Sequence, residues 1–134
     1  MAITKDSSVQ DVLSKVVTIN FGDLAGTSGT DVAAIDIPQG AIVTSGAIVK
    51  RIVFNSATSD TLSVGDSGSA TRYLGATDVK TATGLVALVP TGYIHDKPAI
   101  TVRWTGTGAA PTTGQVQLRV DYIVPGKASS VYDY

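Results

Sequence analysis

Residues 99–124 read AITVRWTGTGAAPTTGQVQLRVDYIV. Ile100, Val102 and Trp104 alternate with Thr101, Arg103 and Thr105, and further on Val116, Leu118, Val120, Tyr122 and Val124 alternate with Gln115, Gln117, Arg119 and Asp121. A period of two sets every second side chain on one side of a pleated strand, so each run predicts a strand with one buried face. Between them, residues 106–114 hold three Gly and one Pro and can continue neither a ladder nor a helix. The direct reading is a β-hairpin whose apolar face must be covered by a second sheet. The pair is therefore expected at the centre of a two-sheet sandwich.

Composition points the same way. Seventeen Thr, seventeen Val and 14 Gly occur in 134 residues, and all 11 acidic residues are Asp. Glu favours helix interiors, whereas Thr and Val favour strands and Asp favours turns, so the class expected is all-β. The length suits one domain with a real core. There is no cysteine, which excludes disulfides and thiolate metal sites. A formal net charge of −1 supplies no field that would draw the protein onto nucleic acid or anionic lipid, and neither is expected as a partner. The N-terminal residues show no apolar leader core, and no stretch approaches the roughly 20 apolar residues of a membrane span. Synthesis in the cytoplasm is the expectation, with the product either staying there or leaving by a route that needs no secretory leader, such as release by lysis.

Outward from the central pair, the pattern divides the chain into an N-terminal arm (1–14), a β-sandwich domain (15–124) and a C-terminal tail (125–134). Within the arm, Val9, Val12 and Leu13 have helical spacing. Strands are expected at 15–21, with Val17, Ile19 and Phe21 inward, and at 31–37, with Ala33, Ile35 and Ile37 inward. Residues 47–55, AIVKRIVFN, carry apolar groups and a charge on both faces, so this strand is either covered on both sides or bulged. A partner subunit is one candidate for the cover. A short strand is read at 61–65 with Leu62 and Val64 inward, short segments at 73–74 and 78–80, and a buried strand in the apolar run GLVALV at 84–89. Tyr132 and Tyr134 predict a tail that docks on its own body or on another chain. The count is about eight strands with Gly-rich loops, an antiparallel sandwich of jelly-roll type. The expected core includes Val17, Ile19, Phe21, Ile35, Ile52, Phe54, Leu62, Val102, Trp104, Leu118, Val120 and Tyr122.

No constellation of reactive side chains accompanies this pattern. Gly65-Asp66-Ser67-Gly68-Ser69 resembles the sequence around the nucleophile of chymotrypsin-like proteases, but the single histidine, His95, lies downstream of Ser67 rather than upstream, and the Cys framework of those enzymes is missing. A tight turn is the better reading. His95 is expected in a surface loop, bonded locally to Asp96. Asp60 and Asp66 flank a strand and could face a surface Ca²⁺, yet they lack the spacing of a calcium loop. Trp104 falls on the inward face and is assigned to the core rather than to a sugar-stacking platform. No catalytic, cofactor-binding or metal-binding residue is assigned.

Leu62-Ser63-Val64-Gly65-Asp66, then Arg72-Tyr73-Leu74, Thr77-Asp78-Val79 and Gly84, with the final run VQLRVDYIV, resemble segments of the decoration, or cement, proteins of tailed bacteriophage heads. The resemblance spans residues 47–124. It implies a jelly-roll-like structural protein, not an enzyme, which sits on the outside of the virion shell and bridges major capsid subunits. It implies self-association as a trimer or dimer, the trimer preferred because a shell offers many three-fold positions. The contact is expected at one end of the sandwich together with the terminal arms. A receptor- or glycan-binding sandwich of a head or tail fibre is the competing reading. Ser67 is expected to stay unmodified by a fluorophosphonate probe, and a labelled Ser67 detected by peptide mass would identify a nucleophile.

Overall fold

The structure is a computed structural model and describes residues 10–125. Along the chain run β1 (Leu13–Asn20), α1 (Phe21–Leu24), β2 (Thr30–Ile35), β3 (Ile42–Ile52), β4 (Ser59–Asp66), β5 (Ser69–Asp78), β6 (Gly84–Ala87), β7 (Ile100–Thr107) and β8 (Gln115–Ile123). They form two four-stranded sheets, sheet I in the order β1-β8-β3-β6 and sheet II in the order β2-β7-β4-β5. Every ladder is antiparallel.

The pairings β1·β8, β2·β7, β3·β6 and β4·β5 are nested, as though the chain were one long hairpin with its tip at Ser67-Gly68. Rolling that hairpin adds β3·β8 and β4·β7 and closes it into the two sheets of a jelly roll. The Gly65–Ser69 motif is therefore the tight turn at the tip, as its sequence suggests. The central pair is different from its reading. Both strands exist with the alternation expected, but β7 lies in sheet II and β8 in sheet I, so residues 108–114 cross between sheets instead of closing a hairpin. Alternation reports which face of a strand is apolar and says nothing about its neighbour. The crossing ends at Gly114, whose C=O accepts the Phe21 N–H (2.9 Å) and whose φ of +148° and missing side chain leave room for the Phe54 ring, 2.7 Å from where a Cβ would stand.

Between the sheets, Val116, Leu118, Val120 and Tyr122 of β8 face Ile100, Val102 and Trp104 of β7, joined by Ile48, Leu62, Val64 and Phe54, all buried. Trp104 stacks on Phe54 with ring centroids 6.4 Å apart, and its Nε1–H donates to buried Asp60 at 2.9 Å. The same carboxylate accepts the Ser56 N–H (2.9 Å) and hydroxyl (2.6 Å), so the buried charge is hydrogen-bonded on both oxygens.

Bulges explain where the inward sets differ from the alternation. In β3 the register breaks between Lys50 and Ile52, turning Ile52 out to 49% exposure while Phe54 returns to the core; of the two alternatives for this strand, it is bulged. In β2 the break lies between Ala33 and Ile35, so Val32 faces Val102 and Ala33 is exposed. Phe21 belongs not to β1 but to a single helical turn, with the Asp23 carboxylate accepting the Asn20 N–H at 2.9 Å, and it is only half-buried, as is Val17. Leu13 is in β1 and not in a helix. The segments expected at 73–74 and 78–80 are parts of the ten-residue β5, except for Val79 and Lys80 beyond its end. GLVALV is not a buried strand: β6 is an edge strand, Leu85 and Val89 are exposed, and of the run only Leu88 is buried. The expectations for residues 1–9 and 126–134, with Val9, Tyr132 and Tyr134 among them, lie outside the described residues.

Trp104→Ala removes an aromatic that packs on Phe54 and satisfies Asp60, and is expected to lower the unfolding free energy by about 3–5 kcal/mol. Ile52→Ala, despite its place in an apolar run, should change it by about 0.5 kcal/mol or less. Urea denaturation of the two variants beside the parent checks both values.

Candidate docking face and the polar network beside it

The exposed large apolar side chains among the described residues are Val12, Leu13, Val16, Ile52, Leu85, Val89 and Ile94, and none belongs to sheet II. The register of sheet I arranges its outer face in rows. One row runs Val16, Arg119, Ala47, Ala87; the next runs Thr18, Gln117, Val49, Leu85; Asn20, Gln115 and Ile52 form a third. Val16 (60%) and Leu85 (64%) are more than half exposed, so apolar surface flanks a polar central strand. The outer face of sheet II is polar by comparison: Arg103 Nε pairs with Asp31 at 2.8 Å, and Thr61, Ser63, Thr101 and Thr105 share its register.

A fourth row stitches three strands of the outer face together. The bulge between Val43 and Ser45 brings Ser45 opposite Asp121, and its hydroxyl donates to that carboxylate at 2.8 Å while the Ser14 hydroxyl donates at 2.5 Å. Arg119 Nε lies 3.5 Å away. The Ser14 bond, helped by Ser45 and Arg119 and opposed by partial burial, holds the Asp121 carboxyl below its ordinary range.

At the end of the sandwich that carries the hairpin tip, Asp66 is inaccessible to solvent and accepts the N–H groups of Gly68 (2.9 Å) and Ser69 (3.0 Å) and Nε of Arg72 (2.6 Å). Burial pushes its carboxyl up, but the Arg72 hydrogen bond and the two backbone donors outweigh that and hold it low. The Arg72 guanidinium lies 3.6 Å from the centre of the Tyr93 ring, Tyr93 donates its hydroxyl to Asp96 (2.5 Å), and Lys97 Nζ is 3.4 Å from the same carboxylate. This chain of contacts ties the β4–β5 tip to the connection between β6 and β7.

His95 is not the surface residue its polar neighbours suggest. Its N–H donates to Ala41 C=O (2.8 Å) and its C=O accepts the Gly40 N–H (2.9 Å), which pins the backbone so that Ile94 faces solvent and the imidazole is buried. Neither ring nitrogen has a hydrogen-bond partner among the described residues, and the exposed Asp96 carboxylate accepts from Tyr93 instead. Asp60 and Asp66 do not face a surface ion either: both are buried and committed to Trp104 and Ser56 or to Arg72. Among the described residues no three acidic or His side chains converge. The sequence signal for the docking face was the two-sided apolar character of residues 47–55. Val16 and Leu85 join it only through the register.

No family model matches the sequence, and no curated protein matches it. The fold has clear neighbours among solved structures. A chain of the cyanophage Pam1 capsid asymmetric unit superposes with a TM-score of 0.68 at 24% identity, over 93% of each chain. A chain of the acidic stable capsid of Helicobacter pylori bacteriophage KHP30 does so with a TM-score of 0.67 at 17% identity, over 96% of this chain and 98% of that one. For the capsid of Ralstonia phage GP4 the values are 0.54 and 18%, over 95% and 92%. At these identities the likeness is one of fold.

Asp66 and Asp121 set an acid limit on stability. Their carboxyls lie lower in the folded state than in the unfolded chain, so they favour the fold above about pH 4 and cease to do so as pH falls through the folded values. The urea midpoint is expected to drop steadily below about pH 4. Asp66→Asn should be less stable than the parent at pH 7 and show a shallower acid loss when both are titrated from pH 7 to 2.

Proposed function

We propose that this protein is a structural component of a phage head that binds the outside of the shell and stabilises contacts between neighbouring major capsid subunits. The observation that carries this reading is the likeness of the whole fold, over more than nine-tenths of both chains, to chains of three phage capsids. The outer face of sheet I is the surface best suited to the contact. It offers Val16, Val49, Ile52 and Leu85 around Arg119 and Asp121, apolar area with a polar register that can fix orientation. The arms, taken as residues 1–12 and 125–134 because Leu13 and Ser14 belong to β1, extend the contact across subunit boundaries, and copies associate with one another on the shell.

The role proposed is architectural rather than catalytic. Ser67 is a turn residue beside a carboxylate that is already bonded to Arg72. Against the glycan-binding alternative stands the position of Trp104, buried with its Nε1–H on Asp60, so the single indole of the chain has no face for a sugar. Binding only to the assembled shell stabilises it by mass action, and many simultaneous contacts turn modest single affinities into durable attachment.

Purified protein mixed with shells lacking it is expected to co-sediment with them and to raise their rupture temperature. Val16→Glu and Ile52→Glu, both at exposed positions, should weaken co-sedimentation without altering the urea midpoint. Failure to bind shells, with retention on host envelope glycans, would overturn the proposal in favour of a receptor-binding module.

A further inference from the structure

The four open edges of the two sheets are unequally guarded. β1 carries Lys15, whose ammonium reaches the Asp36 C=O at 2.5 Å. β2 carries Asp31 and a bulge. β5 carries Arg72 and Asp78, has two breaks of register, and its Tyr73 C=O already accepts the Val89 N–H at 2.7 Å. β6, Gly84–Ala87, has no charge, proline or bulge in its span. Its shortness is its only guard. The chain around it is also without charge, since no Asp, Lys, Arg or His occurs from Thr81 to Ile94.

The ladder with β3 shows which groups are open. Leu88 N–H donates to Gly46 C=O at 3.0 Å, and with Ala87 opposite Ala47 this directs residues 84, 86 and 88 toward β3. The N–H and C=O of Leu85 and Ala87 therefore point away from the sheet, and none of them has a backbone partner among the described residues. Natural edges are usually blunted by charge, proline or bulges, so an edge left bare is one that pairs.

We infer that β6 pairs antiparallel with β6 of a second copy of this chain about a two-fold axis, joining two copies of sheet I into one continuous sheet. With Leu85 of each copy opposite Ala87 of the other, all open groups are used in four N–H···O bonds, and each exposed Leu85 side chain covers the other copy's Ala87. Charge and edge shape select the occupant. Self-pairing of β1 or β2 would bring Lys15 or Asp31 of the two copies together, and β5 is interrupted by its register breaks and by the bond from Val89, whereas β6 brings no charge and no break. The contact buries well under the roughly 1,200 Å² of a stable interface, so it is weak in dilute solution and forms at high local concentration, as on a lattice. It is two-fold, not the trimer that shell symmetry suggests, and of the outer face of sheet I it takes only Leu85 and Ala87 at the β6 margin. The inference assigns a strand to the self-association proposed above, does not depend on capsid binding, and is tested without shells.

The test is sedimentation equilibrium of the full chain over a wide concentration range, with amide hydrogen exchange at the same concentrations. A monomer–dimer equilibrium is expected, in which the Leu85 and Ala87 amides gain protection as concentration rises while those of Val86 and Leu88 do not change. Leu85→Lys sets like charges near the axis, and Ala87→Pro removes an outward N–H without touching the β3 ladder; each should weaken the dimer about tenfold or more with the urea midpoint unchanged. Exchange at Leu85 and Ala87 that is unprotected at every concentration overturns the inference. So does an oligomer that persists undiminished in both variants.

Discussion

Between Thr107 and Gln115 the chain passes from the middle of one sheet to the middle of the other, and the rest of the architecture depends on that crossing. β7 is hydrogen-bonded to β2 and β4, and β8 to β1 and β3, so four of the six ladders wait on the last two strands. Until they are in place, β1 and β2 have no ladder partner, and β3 and β4 have only β6 and β5. Long-range pairing of this kind makes loop closure precede reward, the condition that slows folding of β-rich chains. The backbone cost at the crossing falls on Gly114, where only a residue without a side chain lets the strand start beneath the Phe54 ring.

Two buried aspartates hold this arrangement in register, by different means. Asp60 works inside the core: a single carboxylate gathers the Trp104 indole and both donors of Ser56, so the largest aromatic in the core can seat in one orientation only. Asp66 works at the tip of the rolled hairpin. Its bonds to Gly68 and Ser69 shape the turn, and its bond to Arg72 places the guanidinium against Tyr93, which locks the β6–β7 connection over that end. Each is a buried charge satisfied by several donors, and removal of either would leave those donors unpaired in low dielectric.

The same roll divides the surface. Sheet II has a polar outer face, with Thr61, Thr105 and an Asp31–Arg103 pair on it, while sheet I collects the apolar side chains that the core did not take. Val16, Val49 and Leu85 come from three strands far apart in the chain and share a face because β8 draws β1 and β3 to either side of itself and β6 adds to β3. A broad face and a bare edge lie on the same sheet and meet at Leu85.

The sequence by itself determined the class, the strands and most of the core. Abundant Thr, Val and Gly with no Glu make an all-β chain, and period-two alternation marked the inward residues of β4, β7 and β8 correctly, because pleating leaves a strand no other way to sort its side chains. It also identified the Gly65–Ser69 turn and the place of Trp104. Tertiary structure alone decided which strands meet. Residues 99–124 read as a hairpin because neighbours in sequence usually pair, yet here they sit in opposite sheets. Bulges in β2 and β3 moved Ala33 and Ile52 to the surface, since one extra residue reverses every side chain beyond it. The burial of His95 and the exposure of Leu85 have the same origin. A side chain's environment is set by what lies across from it, and in a rolled hairpin that neighbour is distant in the chain.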